Sequence, residues 1–347
     1  MEITNIPLID NIADIVITQR RLQHLLALVE YAHFGRAAKA LDISQPALTK
    51  SIQALESELG VQLIDRKHGA LGPTVFGELL IQRSRRILSE EDDLRREIAL
   101  LAGLEHGSLK VALGPYPSVT SGYAAIAQLL AAHPGIHIAA HVAGWREVAS
   151  QVAARTVDIG IAETSSVEGE EQFATELVGQ HCARIFCRPG HPVLGRGPVS
   201  LRQLLDFPWV ATRLPSRIAD SLPGSLGKAG TRDPLTGDFV PAVEIDVPMQ
   251  LAGFLNGSDA LAFASLGIME ADLLAGRAML VPMSGPEMRA GYGFIYLKDR
   301  SLSPSTQAYM AEVRAVEREF GEREALLAAR YVGHPGKPGS GGVDRKR

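Results

Sequence analysis

Apolar and polar residues follow two different rhythms along this chain, and the change of rhythm divides it. From Leu22 to Leu55 the apolar positions recur at spacings of three and four. They fall into three sets: Leu22, Leu25, Leu26, Leu28 and Val29; Ala37, Ala38 and Leu41; and Ala47, Leu48, Ile52 and Leu55. That period predicts three consecutive amphipathic helices. The second and third meet at Asp42-Ile43. Ser44 stands where an N-cap belongs, and Pro46 falls in the first turn, where a missing N–H costs little. Phe34 can plug the turn before the pair. The third helix ends at Gly60, Val61 to Ile64 turns extended, and Arg66-Lys67-His68-Gly69-Ala70-Leu71-Gly72 reads as a basic hairpin. The third helix turns Gln45, Thr49, Lys50 and Gln53 outward, with no carboxylate among them, as entry into the DNA major groove requires. Read alone, the stretch also suits an Ala-rich helical hairpin packed in some other domain.

Beyond the hairpin, Thr74 caps a long predicted helix to about Leu101, with Glu78 in its first turn to complement the macrodipole. Leu80, Ile87, Leu94 and Leu101 repeat every seven residues, the mark of a coiled-coil seam. The companion positions Ser84, Glu91 and Ile98 are only partly apolar, so a solvated spacer competes with a dimerisation helix. A head reading a palindrome needs a partner, which favours dimerisation.

At Gly103 to Ser108 the rhythm changes. Extended segments at 109–114, 136–142, 157–161, 183–187, 209–212, 243–247, 260–264, 279–282 and 293–298 alternate with helical ones at 118–130, 145–154, 201–205, 249–255 and 306–320. Such alternation predicts an α/β fold with a parallel sheet. Residues 214–240, rich in Gly and Pro, fit no element, and the tail from His334 has a disordered composition.

The stretch from Arg36 to Thr74 resembles the DNA-binding domain of the LysR-type transcriptional regulators. The likeness is carried by Arg36-Ala37-Ala38, Leu41, the run Ile43 to Lys50, Ile52, Leu55-Glu56, Leu59-Gly60-Val61, Leu63, Asp65-Arg66 and Pro73-Thr74. Gly35 departs from it, standing where a hydroxyl cap is usual, and Leu25 and Ile64 replace common phenylalanines. Further on, Pro117-Ser118, His133-Pro134, Asp158 to Ile161, His191-Pro192 and Leu302-Ser303-Pro304 resemble the effector domain of the same family, in the same order. The resemblance implies an α/β protein with a winged helix-turn-helix head, a long linker helix and a two-lobed effector domain similar to periplasmic binding proteins. The expected division is 1–19 as an extension, 20–73 as the head and 74–102 as the dimerising linker. Lobe one then takes 108–182 with 299–325, lobe two 183–298, and 326–347 forms a disordered tail.

Charge fits this division. The chain carries a net −4, yet Arg20 to Gly72 holds seven Lys/Arg against five Asp/Glu, so a head of +2 leads a body of −6. That suits a regulator better than a nonspecific coating protein. An apolar fraction of 46% supports real cores. No apolar run spans a membrane, and the first nineteen residues carry Glu2, Asp10 and Asp14 without a basic start, so neither a membrane nor a signal peptide is expected and the cytoplasm is.

The family motif assigns DNA contact to Gln45, Pro46, Thr49 and Lys50 on the third helix and to Arg66 and Lys67 on the wing. Gln45 can pair an adenine edge and Pro46 can pack on a thymine methyl, while Lys50 and Arg66 neutralise phosphates. Ser118 opens a helix after a strand, and the resemblance places a ligand-contacting hydroxyl there. Tyr116 beside it, with strand-end residues Thr164, Thr212, Arg213 and Ser265, can converge on one cleft, where open α/β sheets bind ligands. Plain capping for Ser118 and an ion pair for Arg213 are the competing assignments. A carboxylate-bearing organic acid is the natural effector, and no cofactor is expected.

Three other chemistries are weighed and set aside. Cys182 and Cys187 share a strand about 16 Å apart on opposite faces, beyond the roughly 7 Å a disulfide allows. His137 and His141, with His133 before the Pro134-Gly135 break, fall about 13 Å apart on a strand, too far to share an ion. Gly-x-Ser-x-Gly, His-Glu-x-x-His and a phosphate loop are absent; Gly227-Lys228 lacks the flanking residues. The expected function is a transcriptional regulator, not an enzyme, with double-stranded DNA, a small effector, its own copies as dimer or tetramer, and RNA polymerase as partners. The rival is a solute-binding module or metabolic enzyme with a vestigial helical head.

Overall fold

A computed structural model describes residues 17–65, 71–101, 107–195, 197–249, 251–284 and 287–332. The chain folds as two units that divide near residue 104. In the first, α1 (Gln19–Tyr31), α2 (Phe34–Ala40) and α3 (Gln45–Leu59) precede a short antiparallel hairpin, β1 (Ile64–Asp65) with β2 (Gly72–Pro73), and then α4 (Val75–Leu101). Leu25, Leu28, Ala38, Leu48, Ile52, Leu55, Leu63 and Ile81 form its core, with Phe34 and Leu41 leaning on it. Each fully buried leucine or isoleucine contributes about 1.5–3 kcal/mol.

Two local expectations need correcting. Ala47 is exposed, because the buried stripe of α3 runs through Leu48, Ile52 and Leu55 and Ala47 lies to one side of it. The cap of α2 is His33: its Nδ1 accepts from the N–H of Gly35 at 3.0 Å and of Arg36 at 3.3 Å, so Gly35 sits inside the first turn and replaces no cap. On α4, Thr74 caps as expected, accepting from Gly77 N–H at 3.1 Å and donating to Gln62 O at 2.6 Å. Ile87, Leu94 and Ile98 are 52%, 56% and 58% exposed, so this chain leaves their stripe uncovered.

The second unit begins with β3 (Ser108–Leu113), α5 (Pro115–Pro117), a π-helical turn (Ser118–Gly122), α6 (Tyr123–Ala132), β4 (His137–Val142), α7 (Trp145–Ala153) and β5 (Ile159–Ala162). A long β6 (Phe173–Cys187) leads to β7 (Val199–Ser200), α8 (Leu201–Leu204), β8 (Trp209–Ala211) and α9 (Ser216–Ala219). Next come β9 (Gly230–Arg232), β10 (Phe239–Pro241), β11 (Val243–Glu244), α10 (Leu251–Leu255), β12 (Leu261–Ser265) and α11 (Leu266–Leu274). The chain closes with β13 (Met279–Leu280), β14 (Met283–Ser284), β15 (Met288–Leu297) and α12 (Pro304–Tyr331).

One sheet runs β11-β8-β12-β6-β15-β5-β3-β4, with β13 beside β6. It holds a parallel trio at each end, β11-β8-β12 and β5-β3-β4, joined through the antiparallel pair β6 and β15. Each trio packs its own lobe. Leu109, Val111, Ile159, Phe294 and Tyr309 centre the first, and Ile185, Trp209, Phe239, Leu261 and Phe263 centre one face of the second.

The lobe boundaries differ from expectation. β6 crosses the proposed 182/183 boundary as one strand, and Gly293 to Ile295 pair with β5, so they belong with the first lobe and not with 183–298. The closing helix does not stop at Phe320. Gly321 faces open space and is tolerated inside α12, while Leu327, Ala328 and Tyr331 find the apolar layer of the second lobe around Phe186 and Met269. Residues 326–331 are therefore helix and not tail; 333–347 lie outside the described residues. Within the unplaced 214–240 stretch, α9 and the antiparallel β9–β10 hairpin form, anchored by fully buried Phe239.

Candidate nucleic-acid interface and ligand cleft

The angle between α2 and α3 is set by hydrogen bonds at the junction. Asp42 adopts the left-handed conformation at φ 54°, Ile43 N–H donates to Ala38 O at 3.0 Å and Asp42 N–H to Lys39 O at 3.2 Å. These are the paired bonds of a Schellman C-cap, with Asp where Gly is usual. Ser44 then caps α3, accepting from Ala47 N–H at 3.3 Å. Gln45, Pro46, Lys50 and Gln53 are exposed on one side of α3. Thr49 is half-buried and donates its hydroxyl to Gln45 O at 3.0 Å. Across the helix, Glu56 accepts from Leu63 N–H at 2.9 Å and Ile64 N–H at 3.1 Å, fastening the hairpin to α3. The expected wing contacts Arg66 and Lys67 lie outside the described residues. His24 on α1 meets Ser51 on α3 at 2.7 Å; burial, then Arg20, holds its imidazole below the usual range.

In the second unit a cavity of about 480 Å³ lies where the two lobes face each other. Ser118, Val119 and Tyr123 line it from the first lobe, and Pro248, Met249, Leu251, Gly267, Ile268, Met269 and Asp272 from the second. Of the six residues expected to bind an effector, Ser118 lines this cavity, with its hydroxyl donated to Pro115 O at 2.7 Å. Tyr116 is packed against the core of the first lobe, where burial above all pushes its phenol up. Thr212 and Ser265 are buried, and Thr164 is half-buried at the start of a 3-10 turn. Arg213 is held by Glu244 and Asp233, both at 2.9 Å, which is the ion-pair assignment.

Sequence reading missed a buried polar network where β6 and β15 cross between the lobes. His181 on β6 meets Glu324 at 2.9 Å through Nδ1 and Glu317 at 3.2 Å through Nε2, both on α12. Tyr292 on β15 donates to Glu317 and shares a 2.6 Å hydrogen bond with Thr120 of the first lobe. Glu324 accepts in turn from Gly267 N–H at 3.0 Å, at the start of α11 in the second lobe. Burial alone would lower the His181 pKa, but its hydrogen bonds to Glu317 and Glu324 outweigh it and raise the imidazole to about 9. Burial opposes ionisation of both glutamates, and His181 with the surrounding hydroxyls nevertheless holds them below the usual range. Gly179 makes room: a Cβ there would stand 2.6 Å from Glu317 Oε2 and from the Tyr292 ring. The available signal was the seven-residue spacing of Glu317 and Glu324, two turns apart on one face of a helix, together with a histidine in a strand.

Two further ion pairs join the lobes. Fully buried Asp238 accepts from Arg146 of α7, at 3.1 Å through Nη2, and from Ser216 N–H at 3.0 Å. Arg217 reaches Glu163 at 2.6 Å.

Cys182 and Cys187 are free thiols on the single strand β6. Burial, before any neighbouring charge, raises both, Cys187 to about 12. His137 and His141 lie on β4, and among the described residues no group of three His, Cys, Asp or Glu could hold a metal. Among those residues no helix is long and apolar enough to cross a membrane.

Comparison with known proteins matches both units. Residues 19–78 fit the model described as bacterial regulatory helix-turn-helix protein, lysR family, and residues 102–318 fit the LysR substrate binding domain. The SDS degradation transcriptional activation protein of Pseudomonas sp. is 32% identical over 293 residues, 83% of this chain and 93% of that protein. The HTH-type transcriptional regulator GbpR of Azospirillum brasilense is 27% identical over 85% of each chain. In fold, a full-length OxyR variant from Pseudomonas aeruginosa matches with a TM-score of 0.61 at 17% identity, over 88% of this chain and 95% of that one. Full-length CbnR in complex with its target DNA matches at 0.56 and 20% identity, over 86% of this chain and all of that one.

Proposed function

The chain belongs to the LysR-type transcriptional regulators, which bind DNA and small-molecule effectors, and we propose that its α3 reads the operator while the interlobe cavity takes the effector. One observation carries the DNA assignment. The face of α3 from Gln45 to Gln53 presents amide, cation and small polar groups to solvent, without a carboxylate, on a helix whose other face is locked into a core. In this reading Gln45 and Pro46 contact base edges, Thr49 exchanges its bond to Gln45 O for a DNA contact, and Lys50 neutralises phosphate. Arg66 and Lys67 extend the phosphate track. The uncovered stripe of Ile87, Leu94 and Ile98 on α4 supports pairing with a second copy, which doubles the reading head for a twofold site.

Control of transcription then follows from linkage. An effector that binds one arrangement of the lobes better than another shifts the population, and with it the presentation of the paired heads. The test is fluorescence anisotropy at fixed salt on the DNA upstream of the chain's own gene. Lys50→Ala should weaken binding on every sequence and flatten the salt dependence by about one charge. Gln45→Ala should instead lose preference at one base pair. Unchanged affinity and selectivity in both variants would remove α3 from the interface and leave a ligand-binding module with an idle head.

A further inference from the structure

Resting on the reading of the interlobe cavity as the effector site, we infer that this chain's effector is an uncharged, apolar molecule with a hydroxyl group, and not a carboxylate. Two positions in this cleft are suited to an anion, and in each a proton that could serve it is already donated within the chain. The first is the start of α11, where Gly267 lines the cavity while its N–H is donated to Glu324 Oε1 at 3.0 Å. The chain's own carboxylate fills the helix-terminal position that an acid would take. The second is Ser118, whose hydroxyl proton goes to Pro115 O at 2.7 Å. While that bond is kept, its oxygen presents lone pairs to the cavity, which suit a ligand donor.

The walls agree. No Lys, Arg or His lines the cavity among the described residues, and its one carboxylate, Asp272, is paired with Arg277 at 2.6 Å. An acid entering here would lose hydration with no cation to replace it. An alkyl or aryl body meets Val119, Met249, Leu251, Ile268 and Met269 instead. Met249 is 59% exposed, so a bound chain would remove apolar surface from water. Thioether side chains adapt to flexible chains, and the volume lies in the range of pockets that enclose small ligands.

The experiment uses the full chain and three probes matched in length: 1-octanol, octanoate and octyl methyl ether, titrated calorimetrically at neutral pH. Octanol should bind at least roughly tenfold tighter than octanoate, and tighter than the ether, which cannot donate. Met249→Trp at the cavity rim and Ile268→Trp in its wall should each abolish octanol binding; the rim variant carries no risk to the core. Octanoate binding as tightly as octanol, and lost in the tryptophan variants, would overturn the charge assignment while leaving the site. Octanol binding that persists in both variants would overturn the site itself. Silence from all three probes would overturn both.

Discussion

The outward face of α3 and the cleft between the lobes use polar residues in opposite ways. Gln45, Lys50 and Gln53 stand exposed, so their bonding capacity is available to whatever docks. In the cleft, His181, Glu317, Glu324, Arg146, Asp238, Arg217 and Glu163 are taken up in bonds within the chain, and the cavity is left with apolar side chains, Ser118, Tyr123 and the paired Asp272. The difference teaches that a charge motif predicts a binding surface only where the fold leaves its partners outside the chain. On the proposed assignment nucleic acid would meet presented charge, while the cleft uses its charge to hold two lobes together.

Removing a partner from the buried network should have the largest effect. Glu317→Leu leaves His181 and Tyr292 without their shared carboxylate and should cost about 3–5 kcal/mol, read as a lower denaturation midpoint of the second unit. A variant as stable as the parent would mean the network contributes nothing. The protonation of His181 gives the next effect. Its folded pKa, about 9, lies above the ordinary 6.5, so the folded state holds a proton the unfolded state releases between these values. The stabilisation is full below pH 6.5 and is lost as pH rises through 9, on the order of 3 kcal/mol at most. Melting temperature should fall across that window in the parent and stay flatter in His181→Gln. The glutamates act in the opposite direction, with stability lost as pH falls below their ordinary range.

On the head, Gln45→Ala should cost about 1–3 kcal/mol of discrimination at one base pair and leave thermal stability unchanged. Equal discrimination would show that exposure on α3 is not the same as readout. The smallest change is His33→Ala, which strips the cap from α2 and should cost about 1 kcal/mol, seen as a lower melting point of the head with DNA specificity retained. A head as stable as the parent would show that the His33 hydrogen bonds add nothing measurable.

Much of this was legible locally. Ser44, Pro46 and Gly60 carry their own conformational preferences, and the apolar period of α1 and α3 needs only a helix to express it. Gly35 misled because an imidazole two residues earlier does the capping, and histidine is an unusual acceptor there. The extent of β6 was hidden by its passage from one lobe into the other. Its first half alternates mainly between half-buried and exposed positions and its last three residues are all buried, so no single short window shows one strand. The end of α12 was hidden by Gly321, whose cost of about 1 kcal/mol is outweighed by the layer that Leu327 joins.

The amino-acid sequence by itself determined the head, the linker helix and the class of the effector domain, because those depend on periodicity, caps and motif order within one or two turns of chain. The tertiary structure alone decided the character of the cleft. His181, Tyr292, Glu317 and Glu324 come from three elements spread over more than a hundred residues. Whether a carboxylate faces a ligand or satisfies its own protein depends on what packs against it, and local sequence holds no record of that.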